Sequence, residues 1–360
     1  MLKKYGGVRR TCQLLFLVTT LFIGVQFYQF VHPLEQGMIP DIHRPPGVEA
    51  FLPISALVSL KYFALTHVIN EIHPSGLLIL CFVLLSAFVV KKSFCSWVCP
   101  IGLVSELFTR VHYWLFKKGL RIWPCLDSVL RGLKYGLLSF FLFTILYKMA
   151  PAALEQFVFS SYNIVADIKM LKFFTDISAT ALAVLLSLVI LSIFIRNFWC
   201  RYLCPYGALL GVWGFLSPFK VRRDARSCTT CKKCERVCPC SIQISSKQTI
   251  VSDECFACGK CVDACPEVNT LSISLPGNRF KLPAWAIGGM MILIFLGGSF
   301  LARGAGCWHN RVASQAYLTA MLENNLIDIQ NVTDLDVLTR NLDNRGKRLL
   351  MVKMIQEKKK

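Results

Sequence analysis

Long apolar runs alternate with short basic stretches along this chain. Five runs are long enough, or nearly so, to cross a hydrocarbon core of about 30 Å, which takes about 20 helical residues. They predict membrane spans at residues 11–31, 73–90, 133–151, 177–195 and 282–302. A sixth run, residues 50–70, is interrupted by Pro53 and Lys61, and we interpret it as an interfacial or re-entrant helix. The pattern predicts a mainly α protein, a polytopic membrane helix bundle.

Composition agrees with a membrane protein. Hydrophobic residues make up 54% of the chain and charged residues only 17%, whereas soluble domains are about a quarter charged. A net charge of +19 is compatible with nucleic-acid binding, but the lysines and arginines flank the apolar runs, as membrane topology requires. We therefore expect membrane lipid, and not nucleic acid, around this protein.

The basic residues predict an orientation, because lysine and arginine accumulate on the cytoplasmic side. Three stretches are basic and should be cytoplasmic: the start of the chain, the loop after the second span and the loop after the fourth. Their residues include Lys3, Lys4, Arg9 and Arg10; Lys91, Lys92, Arg110, Lys117, Lys118, Arg121 and Arg131; and Arg196, Arg201, Lys220, Arg222, Arg223 and Arg226. Residues 32–72 and 152–176 are mildly acidic and should face outward, with the tail after residue 302. The expected location is the bacterial inner membrane.

Eight of the 17 cysteines lie in two runs, CTTCKKCERVCP and CFACGKCVDACP. Their spacing, C-x2-C-x2-C-x3-C-P, is that of bacterial ferredoxins with two [4Fe-4S] clusters, in which the fourth cysteine of each run binds the other cluster. The predicted ligands are Cys228, Cys231, Cys234 and Cys265 for cluster one, and Cys255, Cys258, Cys261 and Cys238 for cluster two. We expect a small α+β ferredoxin-like segment around them, on the cytoplasmic side.

Zinc is the alternative, because paired CxxC steps also form tetrahedral four-thiolate sites. Two complete runs, each followed by a proline, favour iron-sulfur clusters. Cys240 falls outside the spacing, and we interpret it as a thiol that binds no cluster.

A second cysteine pattern is repeated within the membrane part. FCSWVCPIG at residues 94–102 and WCRYLCPYG at residues 199–207 share an aromatic residue, two cysteines, a proline and a glycine in the same order. Each follows a long apolar run that ends in basic residues. The first four spans are therefore predicted to be two duplicated hairpins.

The CxxxCP cysteines are Cys95, Cys99, Cys200 and Cys204. Cysteines four residues apart share one face of a helix, and a residue before proline tends to leave the α conformation. We therefore expect Cys99 and Cys204 at helix breaks, near the positive end of the next helix, which favours thiolate. The four thiols form a candidate redox or soft-metal site.

Two CxxxCP motifs followed by a double four-cysteine run resemble the NapH/NosR-type membrane polyferredoxin family, over about residues 10–302. The resemblance implies that the eight cysteines hold two [4Fe-4S] clusters and that the CxxxCP cysteines are the family's membrane thiols. Relatives include subunits that pass quinol electrons toward reductases, maturation proteins such as MauN, and CcoG-type copper reductases. The large flavin-binding domain of NosR-like members is not expected here, and residues 303–360 are too few for the β-sandwich of CcoG-like members.

The predicted domains are a membrane domain at residues 1–217, a ferredoxin-like domain at 218–280, a fifth span at 281–302 and a helical tail at 303–360. The favoured function is electron transfer between the quinone pool and a redox protein partner, soluble or periplasmic. The alternative is a copper or metal reductase or an assembly factor, since thiolates favour Cu(I).

No catalytic residue is assigned. Aromatic and histidine residues near the outer face either line a quinone pocket or form an interfacial belt, and we favour the belt. They are Phe27, Tyr28, Phe30, His32, His43, Tyr62, His67 and His73.

Overall fold

The computed structural model describes residues 5–117, 123–278, 280–329, 332 and 335–357. Helices dominate and the described residues form two short strands, so the predicted mainly α class is confirmed. Four residues of the predicted cytoplasmic stretches lie outside the described ranges: Lys3, Lys4, Lys118 and Arg121.

The elements follow one another in a fixed order. The α-helices are α1 (Tyr5–Glu35), α2 (Pro53–Thr66), α3 (Pro74–Val89), α4 (Ser93–Trp97), α5 (Pro100–Phe116), α6 (Pro124–Leu142), α7 (Pro151–Val158), α8 (Ser161–Ile164), α9 (Ala166–Thr175), α10 (Ala179–Phe194), α11 (Pro205–Trp213), α12 (Lys233–Arg236), α13 (Lys260–Asp263), α14 (Ala284–Ile292), α15 (Gly298–Gly304), α16 (Ser314–Glu323), α17 (Leu335–Asn341) and α18 (Asn344–Glu357). The strands are β1 (Lys220–Arg223) and β2 (Leu271–Ser274). Turns of 3-10 helix lie at Pro46–Phe51 and Pro276–Asn278, and π-helical stretches at Phe143–Lys148, Trp199–Leu203 and Leu293–Gly297.

Three of the described helices are long and apolar enough to cross a membrane: Tyr5–Glu35, Cys125–Lys148 and Ala284–Gly304. They correspond to the first, third and fifth predicted spans. The second and fourth predicted spans are α3 and α10, apolar helices of 16 residues each, about 24 Å long. Helix α10 follows α9 after a bend of 80°, and the pair together is apolar enough for one broken span.

The interrupted sixth run is a helix, α2, and the two interrupting residues have structural roles. Pro53 stands at its first position, where a missing N–H leaves no bond unmade. Lys61 donates from Nζ to the carbonyl oxygens of Ile145 at 2.9 Å, Leu146 at 3.1 Å and Met149 at 2.6 Å. The lysine thus stabilises the carbonyl end of the π-helical stretch.

The chain forms two compact units, and the first consists of Met1–Thr19, Cys81–Leu142 and Leu182–Phe300. Its two strands pair antiparallel, with Val221 opposite Ile273. One buried cluster joins Trp97 beside the first CxxxCP motif, the strand residues and Ile287 of α14. The first unit therefore contains both CxxxCP motifs and both four-cysteine runs.

The second unit consists of Thr20–Leu80, Phe143–Ala181 and Leu301–Lys360. Its core packs Phe30 and Leu34 of α1 against Tyr317 and Leu318 of α16. The tail, predicted to be helical, forms three helices, α16 to α18. The predicted domain boundaries remain predictions.

Candidate functional site

The two four-cysteine runs share one backbone conformation. In the first run, Thr230 and Lys232 have φ angles of 56° and 57°. In the second, Ala257 and Gly259 stand at the equivalent positions, with φ angles of 48° and 73°. Such left-handed residues turn successive N–H groups toward one side, a concavity that binds phosphates and iron-sulfur clusters. Both runs therefore have a loop shape that suits an anionic cluster.

Each run then enters a short helix, α12 or α13, whose second residue is the third cysteine, Cys234 or Cys261. Gly259 is needed in the second run, because a Cβ there would lie 2.4 Å from the Tyr5 ring. The fourth cysteines, Cys238 and Cys265, follow within a turn of each helix.

The structure brings the predicted ligand sets together across the two runs. One pocket is lined by the first three cysteines of run one and by the fourth of run two: Cys228, Cys231, Cys234 and Cys265. We call it pocket one. The other, pocket two, is lined by Cys255, Cys258, Cys261 and Cys238, and also by Cys240, which lies outside the ferredoxin spacing.

Within the described parts of the chain, no three His, Cys, Asp or Glu side chains converge on a single point as ligands of one metal ion. A cubane cluster takes one thiolate on each iron, so its cysteines surround a cavity instead. The residues of pockets one and two fit such a group.

The two pockets differ in exposure. Cys231 of pocket one is exposed, and the backbone N–H of Lys233 lowers its pKa. In pocket two, burial raises the pKa of Cys238 to about 12 and that of Cys261 well above its ordinary value. Uncharged thiols suit such an interior, and bound metal ions would hold them as thiolates. Pocket two therefore has no exposed cysteine among its predicted ligands, whereas pocket one has the exposed Cys231.

The CxxxCP motifs begin new helices, as the sequence predicts. Cys99 caps α5 and Cys204 caps α11, both with extended backbone, and Pro100 and Pro205 take the first helical positions. The Gly207 N–H donates to the Cys204 sulfur at 3.2 Å. Each motif thus begins in one helical segment, breaks at its second cysteine and continues into the next helix.

The glycines of the two motifs are not equivalent. A Cβ on Gly102 would lie 1.9 Å from the carbonyl oxygen of Cys95, which is impossible without moving the backbone. A Cβ on Gly207 would lie 3.5 Å from the Cys200 carbonyl oxygen, an ordinary contact. Only the first motif depends on the absent side chain.

The four CxxxCP thiols lie close enough to influence one another. The pKa of Cys99 is raised to about 11, mainly by burial, and Cys204 contributes to the rise. Burial likewise raises the pKa of Cys200 to about 12, with Cys204 and Cys99 adding to the rise. The expectation that the helix ends favour the thiolate form therefore holds only in part. The backbone amides of Gly102 and Ile101 lower the pKa of Cys99, but burial raises it by more.

Both CxxxCP motifs contact the loops of pocket two. From the first motif, the Ser96 hydroxyl donates to the carbonyl oxygen of Phe256 at 2.6 Å, and the Trp97 indole N–H donates to that of Ala257 at 3.3 Å. These carbonyls lie between Cys255 and Cys258. The first motif therefore holds the cysteine loop of pocket two.

The second motif reaches the segment that follows Cys238. Arg201 donates to the carbonyl oxygen of Cys240 at 3.1 Å, and Asn197 to that of Pro239 at 3.3 Å. A further small pocket is lined by Cys95 and Cys200 on one side and Cys258 on the other. The duplicated motifs thus adjoin one of the two four-cysteine pockets.

Sequence reasoning treated Lys91 and Lys92 only as topology signals, but both are buried. Lys91 donates to the carbonyl oxygens of Ile250 at 3.0 Å and Ser252 at 2.7 Å. Lys134, also buried, pairs with Glu254. One feature of the sequence could have indicated the burial of Lys91 and Lys92: they form a lysine pair just before a CxxxCP motif.

A separate buried network lies in the second unit and includes His73, one of the residues considered for a quinone pocket. Arg44 pairs with Glu49 at 2.6 Å and Asp167 at 2.5 Å, and its guanidinium lies 3.1 Å from His73 Nδ1. His73 Nε2 donates to the Asn163 carbonyl oxygen at 2.7 Å. Both ring nitrogens are thus engaged, which favours a structural role for this histidine.

These features define a class: a membrane helical protein with two four-cysteine iron-sulfur pockets beside a duplicated thiol motif. The family described as "4Fe-4S binding domain" matches residues 72–122 and again residues 177–224, which supports the internal repeat. The family described as "4Fe-4S dicluster domain" matches residues 220–266. The chain belongs to the NapH-type membrane polyferredoxin family, and is an iron-sulfur electron-transfer protein.

Several curated relatives support this membership. YccM of Escherichia coli is 39% identical over 315 residues, 86% of this chain and 88% of its own. The ferredoxin-type protein NapH of Haemophilus influenzae is 28% identical, over 60% of this chain and 74% of its own. The methylamine utilization ferredoxin-type protein MauN of Methylorubrum extorquens is 29% identical, over 62% and 77%. No solved structure matches the chain.

Proposed function

We propose that pockets one and two each hold a [4Fe-4S] cluster and that the protein passes electrons between the quinone pool and a redox partner. The observation that carries the proposal is the composition of the pockets: each includes all four cysteines that ferredoxin spacing assigns to one cluster, and pocket two has Cys240 in addition. Bound clusters supply one-electron redox chemistry. The chain's part is to provide eight thiolates, exclude water from pocket two and leave pocket one near the surface.

The contacts also support an order of electron transfer. Pocket two adjoins both CxxxCP motifs, through Ser96 on one side and Arg201 on the other. Pocket one has the exposed Cys231, with the exposed Lys232 and Lys233 next to it in sequence. Pocket two is therefore the inner site, next to the membrane thiols, and pocket one the outer site that exchanges electrons with a redox protein partner.

The proposed location is the bacterial inner membrane, with the ferredoxin-like segment on the cytoplasmic side. The support is the excess of lysine and arginine in the loops around that segment. Reporter fusions test this placement. A fusion at Arg223 should report the cytoplasm and one at Asp167 the outside, and the reverse pattern would contradict it.

A second candidate function is reduction of copper or another soft metal at the CxxxCP thiols. It is favoured by the mutual influence of Cys99, Cys200 and Cys204, since thiolates prefer Cu(I). In this alternative the clusters would serve as the electron supply. Cu(II) reduction by the cluster-reduced protein, absent from variants of the CxxxCP cysteines, would favour it over the quinone link.

The proposal is tested on the full-length protein, purified anaerobically in detergent. It should contain about eight irons per chain, with spectra of two [4Fe-4S] clusters. Addition of a reduced quinone analogue should then reduce at least one cluster. Zinc in place of iron would contradict the cluster assignment. Intact clusters that no quinol reduces would contradict the quinone link alone.

A further inference from the structure

The Lys92 ammonium is a buried charge to which the structure gives no hydrogen-bond partner. The residue is 1% exposed, and its Nζ is among the buried polar atoms that lack a partner within the described part of the chain. A buried charge without a hydrogen-bond partner is unfavourable, so proteins retain one where negative charge is present or develops. One negative group is already nearby, the Asp253 carboxylate, whose pKa Lys92 helps to lower. The neighbouring Lys91 shows the contrast, because two carbonyl oxygens accept from it.

The surroundings of Lys92 link the two cysteine systems of the first unit. Its Nζ lies 5.5 Å from the centre of the Phe256 ring, next to Cys255 in the loop of pocket two. A Cβ on Gly211, in the helix after the second CxxxCP motif, would lie 3.4 Å from the same Nζ. Lys92 therefore lies where that helix and the pocket-two loop come together, in the stretch that leads into the first motif.

The Lys92 charge affects the pKa of the nearby CxxxCP thiols. Burial raises the pKa of Cys95, Cys200 and Cys204, and the Lys92 ammonium opposes that rise at all three. A positive charge that favours thiolates also favours any other added negative charge at the same place. Reduction of a cluster adds one negative charge, and a buried cation is only weakly screened.

We propose that Lys92 is a positioning residue for electron transfer, whose buried ammonium stabilises the negative charge that arrives at pocket two when its cluster takes up an electron. The inference rests on the proposed function, since it needs a cluster in pocket two. At an effective dielectric constant of about 20, a unit charge acting over roughly 10 Å changes an equilibrium constant about tenfold. Lys92 thus makes the inner site easier to reduce than its four thiolates alone would.

The test compares three variants of the full-length, cluster-loaded protein: Lys92→Met, which removes the charge, Lys92→Arg, which keeps it, and Lys281→Met. Lys281 is an exposed lysine of the same unit, so its charge is screened by solvent. Midpoint potentials are read by EPR-monitored redox titration, with the two clusters distinguished through Cys234→Ser and Cys261→Ser proteins.

Lys92→Met should shift the potential of cluster two to more negative values, roughly tenfold in the reduction equilibrium, while cluster one moves less. Lys92→Arg and Lys281→Met should leave both potentials near those of the wild type. An unchanged cluster-two potential in Lys92→Met, or an equal shift in Lys92→Arg, would overturn the inference.

If the Lys92→Met protein assembles no cluster two, the Lys92→Arg protein distinguishes a requirement for the charge from a packing role. Normal clusters in Lys92→Arg would show that the charge is what the site requires, and loss of cluster two there as well would assign Lys92 to packing. Wild-type protein without two clusters would contradict the proposed function instead, so the two failures are distinguishable.

Discussion

The hydroxyl of Ser96 donates a hydrogen bond of 2.6 Å to the carbonyl oxygen of Phe256, 160 residues further along the chain. Ser96 stands between the two cysteines of the first CxxxCP motif, and Phe256 stands between two cysteines of the second four-cysteine run. The bond therefore joins the edge of the membrane part to the loop of pocket two. It shows which of the two pockets the first CxxxCP motif contacts.

Ser96→Ala should weaken pocket two without affecting pocket one. The substitution leaves a partly buried carbonyl oxygen without its donor, at a cost of about 1 kcal/mol. Iron release from the protein to a chelator should then become biphasic, with about half the iron lost faster. Ser299→Ala, which removes only a local bond within an exposed helix turn, is the control. Uniform release in the Ser96 variant would contradict the predicted contact.

The crossed assignment of the fourth cysteines predicts that Cys234→Ser damages cluster one, whereas Cys238→Ser damages cluster two. Both residues belong to one run, yet they line different pockets. Cys240→Ser should leave both clusters intact, because Cys240 lines pocket two but falls outside the spacing of the ligand cysteines. EPR and Mössbauer spectra of the three variants check this. The same cluster damaged in Cys234→Ser and Cys238→Ser would refute the crossing.

The two CxxxCP glycines should respond differently to alanine. Gly102→Ala places a methyl group 1.9 Å from a backbone oxygen of the same motif, and the backbone shift should cost roughly 3 kcal/mol or more. Gly207→Ala meets only ordinary contacts and serves as the matched control. Thermal unfolding in detergent measures both. Equal stability of the two variants would show that the first motif does not need its glycine.

The four CxxxCP cysteines should act as one unit. Each single change, of Cys95, Cys99, Cys200 or Cys204 to Ala, should abolish quinol-driven electron delivery to a similar extent while both clusters remain. Double changes across the two motifs should then cost little more than single ones. Clearly additive losses, or full activity in a Cys95/Cys200 double variant, would return these residues to a packing role.

Acid should destabilise the second unit through Glu49. Burial acts to raise the pKa of this carboxyl, but Arg44, His73 and the Ser75 hydroxyl outweigh it and lower the pKa from 4.5 to about 2. A lowered pKa stabilises the fold above pH 4.5, and that contribution is lost as the pH falls from 4.5 toward 2. The melting temperature should fall over this interval.

Glu49→Gln should lower stability at neutral pH by about 3 kcal/mol, because Arg44 loses one of its two buried carboxylate partners. It should also flatten the acid dependence. Glu71→Gln is the control, since Glu71 pairs with Arg311 at the exposed surface, where an ion pair contributes little. A wild-type acid profile in Glu49→Gln would remove Glu49 as the cause.

The sequence by itself determined the class, most of the helices and the cysteine sets. Long apolar segments are unfavourable in water, so residues 11–31 and 282–302 are predicted to be membrane spans without any knowledge of the fold. The spacing of the four-cysteine runs is local as well, because a tight loop has to bring three thiols to one side. Proline at positions 100 and 205 ended one helix and began another for a steric reason that needs no neighbour.

Only the tertiary structure decided which distant groups meet. Ser96 and Phe256 are brought together by packing, and no periodicity in the sequence indicates such a pair. Lys92 read as a surface charge, because lysine in a basic loop is normally solvated. Its burial became visible only once the pocket-two loop and the helix after the second CxxxCP motif were placed around it. Hydrophobic patterns and cysteine spacing are local properties, whereas the pairing of charges and thiols depends on contacts between remote segments.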